Sequence, residues 1–426
     1  MDNTERIFLH GSTELKRELQ WLNLKTLLLR IKDTGSFNDL RLKEAGVKID
    51  KLNSMADFIQ QVPFTKKEHL LADRNAHPPF GSNFTEPLHH YTRVCQTSGT
   101  STGQPMTLLD TPESWEAMLA CWRQVYNAAG LKSGDRIFFA FSFGPFLGFW
   151  TAFEAATKDY MAIPGGGLSS QARLELMAHY SATVLCCTPT YALRLGETIG
   201  APSGIKLEQL RVKKLILAGE PGGCLPTTRD RLSALWGGAA IFDHHGMSEV
   251  GPVSYEDKNH PASLCIMEDA YFAEVLDPDG NEVEDGEEGE LVLTTLNRIA
   301  CPLLRYRTGD WVCKRLEKSR LYLEGGVLGR CDDMAVIRGV NVYPSALENI
   351  VNRFNEVAEF QIELHKVQEM DEITLIVELE AGADESVIER LQTRLRDTFA
   401  LRIPVKLAPQ GSLPRFEFKA KRWNRV

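Results

Sequence analysis

The 426-residue chain carries 57 Asp and Glu against 48 Lys and Arg, a formal charge of −9. No basic surplus is available to neutralise a phosphate polymer, which argues against nucleic acid as a partner but leaves a small anionic cofactor open. A composition of 43% hydrophobic and 25% charged residues is that of an ordinary globular protein, and the length calls for two or more structural units. No apolar run approaches the roughly 20 residues of a membrane span. The most apolar stretch, Ile137 to Phe153, is interrupted by Ser142, Gly144, Pro145 and Gly148. The first residues, MDNTERIFLHGSTELKRE, show no basic segment leading into an apolar one, and the nine scattered cysteines form no CxxC pair. These features predict a cytoplasmic protein with reduced thiols and no membrane association.

Residues 1 to 75 are predicted helical, with apolar spacing in Leu15–Leu19–Leu22 and Leu24–Leu27–Leu28. Thr65-Lys66-Lys67-Glu68 has the pattern of a capping box, Thr65 bonding back to the Glu68 amide. From 90 to 300, β-rich runs at Arg136–Phe141, Thr183–Cys187, Lys214–Leu217 and Ala239–Asp243 alternate with amphipathic stretches such as Gln171–Tyr180. Such alternation predicts an α/β domain with largely parallel strands. Tyr271–Leu276 and Glu290–Thr295, separated by Asp277-Pro278-Asp279-Gly280, read as antiparallel strands. After Gly329 a final segment reads as a small α+β domain. Its helices are predicted at Tyr343–Phe354 and Ser386–Thr398, and its strands near Glu359–Leu364, Ile373–Glu378 and Val405–Leu407.

Five motifs carry candidate chemistry. Thr97-Ser98-Gly99-Thr100-Ser101-Thr102-Gly103-Gln104-Pro105 follows a predicted strand at Tyr91–Cys95. Its glycines and hydroxyls suit a backbone nest for phosphates, although no Lys-Ser/Thr pair makes it a Walker loop. His244-His245-Gly246-Met247-Ser248-Glu249 ends an apolar run, where a carboxylate and a hydroxyl can hold a hard cation such as Mg²⁺. Arg305-Tyr306-Arg307-Thr308-Gly309-Asp310 offers a carboxylate to paired ribose hydroxyls. Gly329-Arg330-Cys331-Asp332 lies where the composition changes, and Leu413-Pro414-Arg415-Phe416-Glu417-Phe418-Lys419-Ala420-Lys421-Arg422 is a basic tail. Each alone reads equally well as a solvated turn, a linker or a frayed end.

Their order narrows the choice. Together with Gly219-Glu220-Pro221, these motifs resemble the plan of the adenylate-forming superfamily, which contains acyl- and aryl-CoA synthetases, peptide-synthetase adenylation domains and luciferases. The RYRTGD run, GRCDDMAVIRGVNVYPSALE and LPRFEFKAKR make the chain most similar to the phenylacetate-CoA ligase branch, from residue 90 to the last residue. The resemblance implies an α/β protein whose large N-terminal adenylate-forming domain, residues 1–330, has β-sheets and flanking helices. A small mobile C-terminal α+β domain, residues 331–426, would carry the catalytic lysine.

It also implies roles. Ser98, Gly99, Thr100, Thr102 and Gly103 would wrap the ATP phosphates; Gly219, Glu220 and Pro221 would line the adenine site, with His245 and Gly246 closing it. Glu249 would bind Mg²⁺, Ser248 would contact the α-phosphate, and Asp310 with Arg330 would hold the ribose. Lys419 would bridge the α-phosphate and the substrate carboxylate, with Lys421 two residues away as the competing choice; Asp332 would be the hinge. Phe141, Phe143, Phe146, Leu147, Pro189 and Tyr191 are candidates to line the acid pocket, where aromatic walls favour an aryl or arylacetic acid. Core packing is the alternative for them.

ATP, Mg²⁺ and coenzyme A are the implied cofactors and co-substrates, with a carboxylic acid as partner. The same scaffold can pass its acyl group to an amine or to a carrier-protein thiol, and a non-catalytic homologue would have lost Glu249, Asp310 or Lys419, all present here. A homodimer is a candidate assembly. Several features depart from the family pattern. The phosphate loop is one residue longer, Gln104 replaces a lysine, and Met247 and Ser248 replace more typical partners of the metal glutamate. A Cys-rich insert before Gly329-Arg330 is missing as well. Some relatives hold a structural zinc, for which His260, Cys265, Cys301 and Cys313 are the candidate ligands, with inert buried thiols as the alternative.

Overall fold

The candidate phosphate loop is framed by a hairpin. In the computed structural model, which describes residues 7–8, 11–97, 105–200, 203–331, 335–337, 340–342, 344–367, 370–399, 401–415 and 422–425, β1 (Arg93–Gln96) pairs antiparallel with β2 (Thr107–Asp110). Thr97 and Met106 close it, the Thr97 amide donating to the Met106 carbonyl at 2.9 Å.

The apolar runs that follow become β3 (Arg136–Phe139), β4 (Met161–Pro164), β5 (Val184–Cys187), β6 (Lys214–Ala218) and β7 (Ala240–Met247). They pair in parallel in the order β4-β3-β5-β6-β7. Every residue of β5 is buried, as expected of a strand covered on both faces. Helices Pro112–Ala128 and Leu147–Asp159 pack together against this sheet, and the buried Trp122 and Tyr126 of the first bond Thr151 and Ala152 of the second.

The sheet then turns antiparallel. β8 (Gly251–Glu256), β9 (Ser263–Ile266), β10 (Tyr271–Leu276), β11 (Glu288–Thr295), β12 (Tyr306–Glu317) and β13 (Arg320–Arg330) extend it to eleven strands, ordered β10-β11-β12-β13-β9-β8-β7-β6-β5-β3-β4. N-terminal helices close its far end: Leu24, Leu27, Leu28 and Ile31 join Phe58, Phe272 and Leu304 in a separate hydrophobic cluster.

A second sheet has its own core. β14 (Ala335–Ile337) and β15 (Val340–Val342) lead into β16 (Val357–Val367) and β17 (Met370–Leu379), flanked by β18 (Val405–Leu407) and β19 (Trp423–Arg425). Helices Pro344–Val351 and Ser386–Phe399 supply Leu347, Ile350, Leu391 and Leu395 to a cluster distinct from that of the large sheet. Among the described residues no helix is long and apolar enough to cross a membrane.

Two local expectations fail. In helix Thr13–Ile31 the buried face begins with Lys16 and Gln20, whereas Leu15 and Leu22 are exposed. Lys16 reaches Glu268 at 3.1 Å and Gln20 bonds the Glu268 and Tyr271 carbonyls, so polar side chains with specific partners displace leucines from the inner face. Thr65 is not a helix cap either. The helix begins at Lys67, with the Lys66 amide donating to His69 Nδ1 at 3.1 Å, while the Thr65 hydroxyl donates to the Leu304 carbonyl at 2.7 Å and accepts from Arg41.

Candidate active site

In open α/β sheets ligands lie beyond the carboxyl ends of the strands. Here β3 leads into Phe141–Phe146, β5 into Pro189, β6 into Gly219-Glu220-Pro221, and β7 into the turn at Ser248-Glu249. Glu220 ties two of these ends together, its carboxylate accepting the Thr190 amide at 2.8 Å in the first turn of helix Pro189–Glu197.

Asp310 lies opposite Arg330 across β12 and β13 and is 5% exposed. One carboxylate oxygen faces His245 Nε2 at 3.0 Å and the other accepts from Arg330 Nη1 at 2.8 Å. Burial pushes this carboxyl up, but the His245 hydrogen bond and the charges of His245 and Arg330 outweigh burial and hold it below the usual carboxylate range. His245 Nδ1 is buried without a partner among the described residues, an orphan that a bound nucleotide can satisfy. Its neighbour His244 is pushed down to about 3 by burial, against Trp122 at 4.3 Å, and is a neutral packing residue.

Glu249 is 8% exposed and its carboxylate lies 3.1 Å from Lys67 Nζ. Lys67 reaches it because Thr65 is stitched to β12. The Thr65 amide donates to the Arg305 carbonyl, and the Arg307 amide to the Thr65 carbonyl, while both guanidinium groups cover the Phe64 ring. Burial and then the negative charge of Glu249 drive the Tyr306 phenol well up, and Arg330 and Asp310 act on it too, so these groups share one neighbourhood. Lys67 was missed in the sequence reading. Its only local signal was the start of a helix.

Mg²⁺ takes one or two protein carboxylates and otherwise phosphate oxygens and water. The nearly buried hard-oxygen donor of Glu249 fits that demand, and among the described residues no cluster of three or more acidic, His or Cys groups offers a denser site.

Tyr191 and Phe141 are core residues, 4% and 2% exposed, whereas Phe143 and Phe146 are partly exposed. Phe141 stacks on Phe149 at 4.1 Å and Phe146 meets the same ring edge-on; Phe143 meets Trp150 and Phe153. The three phenylalanines therefore gather around helix Leu147–Asp159. Tyr191 is instead held by Ser170 at 3.1 Å and lies under the Arg173 guanidinium. Gly166 lies against Phe143, since a Cβ there would meet its ring at 2.9 Å and the Phe141 carbonyl at 3.2 Å.

The four zinc candidates are not gathered. His260 pairs with Asp257 and Glu317, burial drives the Cys265 and Cys301 thiols up to about 12, and Cys313 bonds the Gly286 carbonyl. Ser98, Gly99, Thr100, Thr102, Gly103, Asp332, Lys419 and Lys421 lie outside the described residues.

A parallel sheet beside the β1–β2 hairpin, a buried carboxylate paired with His and Arg, and a nearly buried glutamate fit a nucleotide-using enzyme with a second, smaller α+β unit. The chain belongs to the AMP-binding enzyme family: the model for AMP-binding enzymes matches residues 40–297, and that for the AMP-binding enzyme C-terminal domain matches residues 339–424. It is 32% identical to the phenylacetate-coenzyme A ligase of Thermus thermophilus over 95% of both chains. To the enzyme of that name from Escherichia coli it is 29% identical, over 97% of this chain and 95% of the relative. Among solved structures, 2-hydroxyisobutyryl-CoA ligase with 2-HIB-AMP in the postadenylation state superposes with a TM-score of 0.90 at 26% identity, covering 98% of this chain and 91% of that one. The same enzyme in the thioesterification state, with 2-HIB-AMP and CoA, gives 0.73 at 27% identity over 99% and 91%. The two states of that relative thus give two scores, the postadenylation one the higher.

Proposed function

We propose an aryl or arylacetic acid as the substrate of this AMP-forming carboxylate–CoA ligase, which works through an acyl-adenylate. The observation carrying the acid class is the pair of partly exposed rings Phe143 and Phe146 beyond the end of β3, in a chain similar over nearly its whole length to phenylacetate-CoA ligases. Flat apolar walls favour a planar acid by stacking and burial.

We assign the roles as follows. Asp310, held in its charged form, accepts the ribose hydroxyls, with Arg330 fixing its rotamer and His245 offering Nδ1 to the nucleotide. The ends of β5 and β6, tied by Glu220, form the adenine wall with Gly219 and Pro221, and Gly246 closes it. Ser98, Gly99, Thr100, Thr102 and Gly103 cradle the phosphates. Glu249 holds Mg²⁺ against them and Ser248 contacts the α-phosphate; the metal, when bound, cancels charge on the phosphate oxygens. Attack of a carboxylate on the α-phosphate brings two anions together, so catalysis rests on fixed positive charge at the forming bond. Lys419, arriving from the smaller unit, meets that charge as a compact ammonium on a long stem. Asp332 is the hinge, and we place the boundary between the units at residues 330 and 331.

Nucleotide products test the reading. Across a panel of acids the chain is expected to yield AMP and pyrophosphate, with aryl and arylacetic acids fastest and thioester appearing only with CoA; stoichiometric ADP overturns it. Supplying an amine or a carrier-protein thiol in place of CoA tests the other acceptors. Sedimentation distinguishes a monomer from a homodimer, and fractionation tests the cytoplasmic location.

A further inference from the structure

Arg298 is buried at 1% exposure in the segment between β11 and β12, seven residues before the Arg305–Asp310 motif and part of none of the motifs above. Its guanidinium makes four short contacts. Nε and Nη2 donate to the two oxygens of Asp110 at 2.8 and 2.7 Å, and Nη1 donates to the carbonyls of Ser248 and Glu249 at 2.8 and 2.9 Å. Asp110 is the last residue of β2, fully buried, in the hairpin that brackets the loop at 98–104. Tyr271 continues the hold, its hydroxyl donating to the Val250 carbonyl at 2.9 Å. Three successive carbonyls of the turn between β7 and β8 are therefore fixed from below. Gly251 lets the chain pass: its φ is +105°, and a Cβ there would lie 3.2 Å from the Tyr271 hydroxyl.

We propose that Arg298, with Asp110, is a positioning pair that locks the Ser248-Glu249 turn to the phosphate-loop hairpin, so that the metal carboxylate and the phosphates keep one separation during adenylation. The inference rests on the assignment of Glu249 to the metal. A planar fork is required because one side chain must meet a carboxylate in two-point fashion while a third nitrogen serves two carbonyls. A lysine has a single nitrogen and cannot span both. Without the fork the backbone under Glu249 loses its donors, and its side chain swings relative to the hairpin.

The test uses the full chain with Arg298→Lys, Asp110→Asn and Asp110→Glu, compared with Glu249→Gln. Three quantities are read: pyrophosphate release against Mg²⁺ concentration; binding of Mn²⁺ with a non-hydrolysable ATP analogue by electron paramagnetic resonance; and thioester formation from preformed acyl-adenylate and CoA. Supporting partners of a metal ligand carry about 10- to 100-fold in metal affinity or activity. Arg298→Lys is therefore expected to weaken Mn²⁺–nucleotide binding and raise the Mg²⁺ requirement by about tenfold or more, while thioester formation stays within about twofold. Asp110→Asn should shift both in the same direction by less. If Arg298→Lys slows both half-reactions equally, or leaves metal affinity unchanged while Glu249→Gln shifts it, the pair is structural and the inference is overturned. If Glu249→Gln itself shifts nothing, the metal assignment has failed instead. Failure of all three variants to fold assigns the pair to the fold and also overturns the inference.

Discussion

Replacing Lys419 with alanine is expected to slow adenylate formation about 100-fold or more, the scale of losing one well-placed charge contact at a developing anion. Thioester formation from a supplied acyl-adenylate should change far less, because the thiol attacks a carbonyl already activated. Residues 416–421, which include Lys419, are bounded by two arginines with fixed partners. Arg415 grips Glu378, whose carboxylate also accepts the Gly411 and Leu413 amides. Arg422 grips Glu359 at 2.7 Å. Glu359 and Glu378 face each other across β16 and β17, so Arg415 and Arg422 are held at one place in the small sheet. Asp332→Pro should do the reverse of Lys419→Ala, sparing adenylation and slowing thioester formation, since a fixed φ stiffens a hinge. Two single-turnover assays, one from acid plus ATP and one from acyl-adenylate plus CoA, separate the effects. Equal slowing of both halves by Lys419→Ala, or loss of adenylation in Lys421→Ala alone, overturns the assignment.

What the sequence revealed of this arrangement divides by the range of the forces involved. The parallel strands were readable because residues 184–187 and 215–218 are continuous apolar runs, all buried, a signal written locally. The helical character of Thr13–Ile31 was readable, but its inner face was not. Burial of Lys16 and Gln20 depends on Glu268 and Tyr271, about 250 residues away, beyond the reach of any periodicity. Thr65 failed for a related reason: a hydroxyl that caps a helix in isolation found a better acceptor in Leu304. Asp310 and Glu249 stand in motifs whose order along the chain singles them out, whereas Arg298 has no motif and Lys67 stands only in the helix-start pattern at 65–68. They act through contacts made only when β12, β2 and the turn after β7 meet.

Glu249→Gln is expected to lower the adenylation rate about 100-fold at fixed Mg²⁺, a loss of the same order as removing one preorganised electrostatic group. It should also raise the Mg²⁺ concentration needed for half-maximal rate. The substitution keeps shape and one acceptor oxygen but removes the charge that a hard dication requires. Lys67, 3.1 Å from that carboxylate, gives the change a second readout. In the metal-free protein Lys67 compensates a nearly buried anion, and taking away one partner of such a pair strands the other. Lys67→Ala should therefore destabilise the metal-free chain, and the melting temperature should recover when Glu249→Gln is added, a coupling measured by the double-mutant cycle. Added Mg²⁺ with ATP should offset part of the Lys67→Ala loss, because a ligand that binds only the folded state stabilises it. A Mg²⁺ titration and an adenylation rate that both match the unsubstituted enzyme would make Glu249 a structural carboxylate. Melting temperatures that add without coupling would then leave Lys67 a surface cation that merely passes nearby.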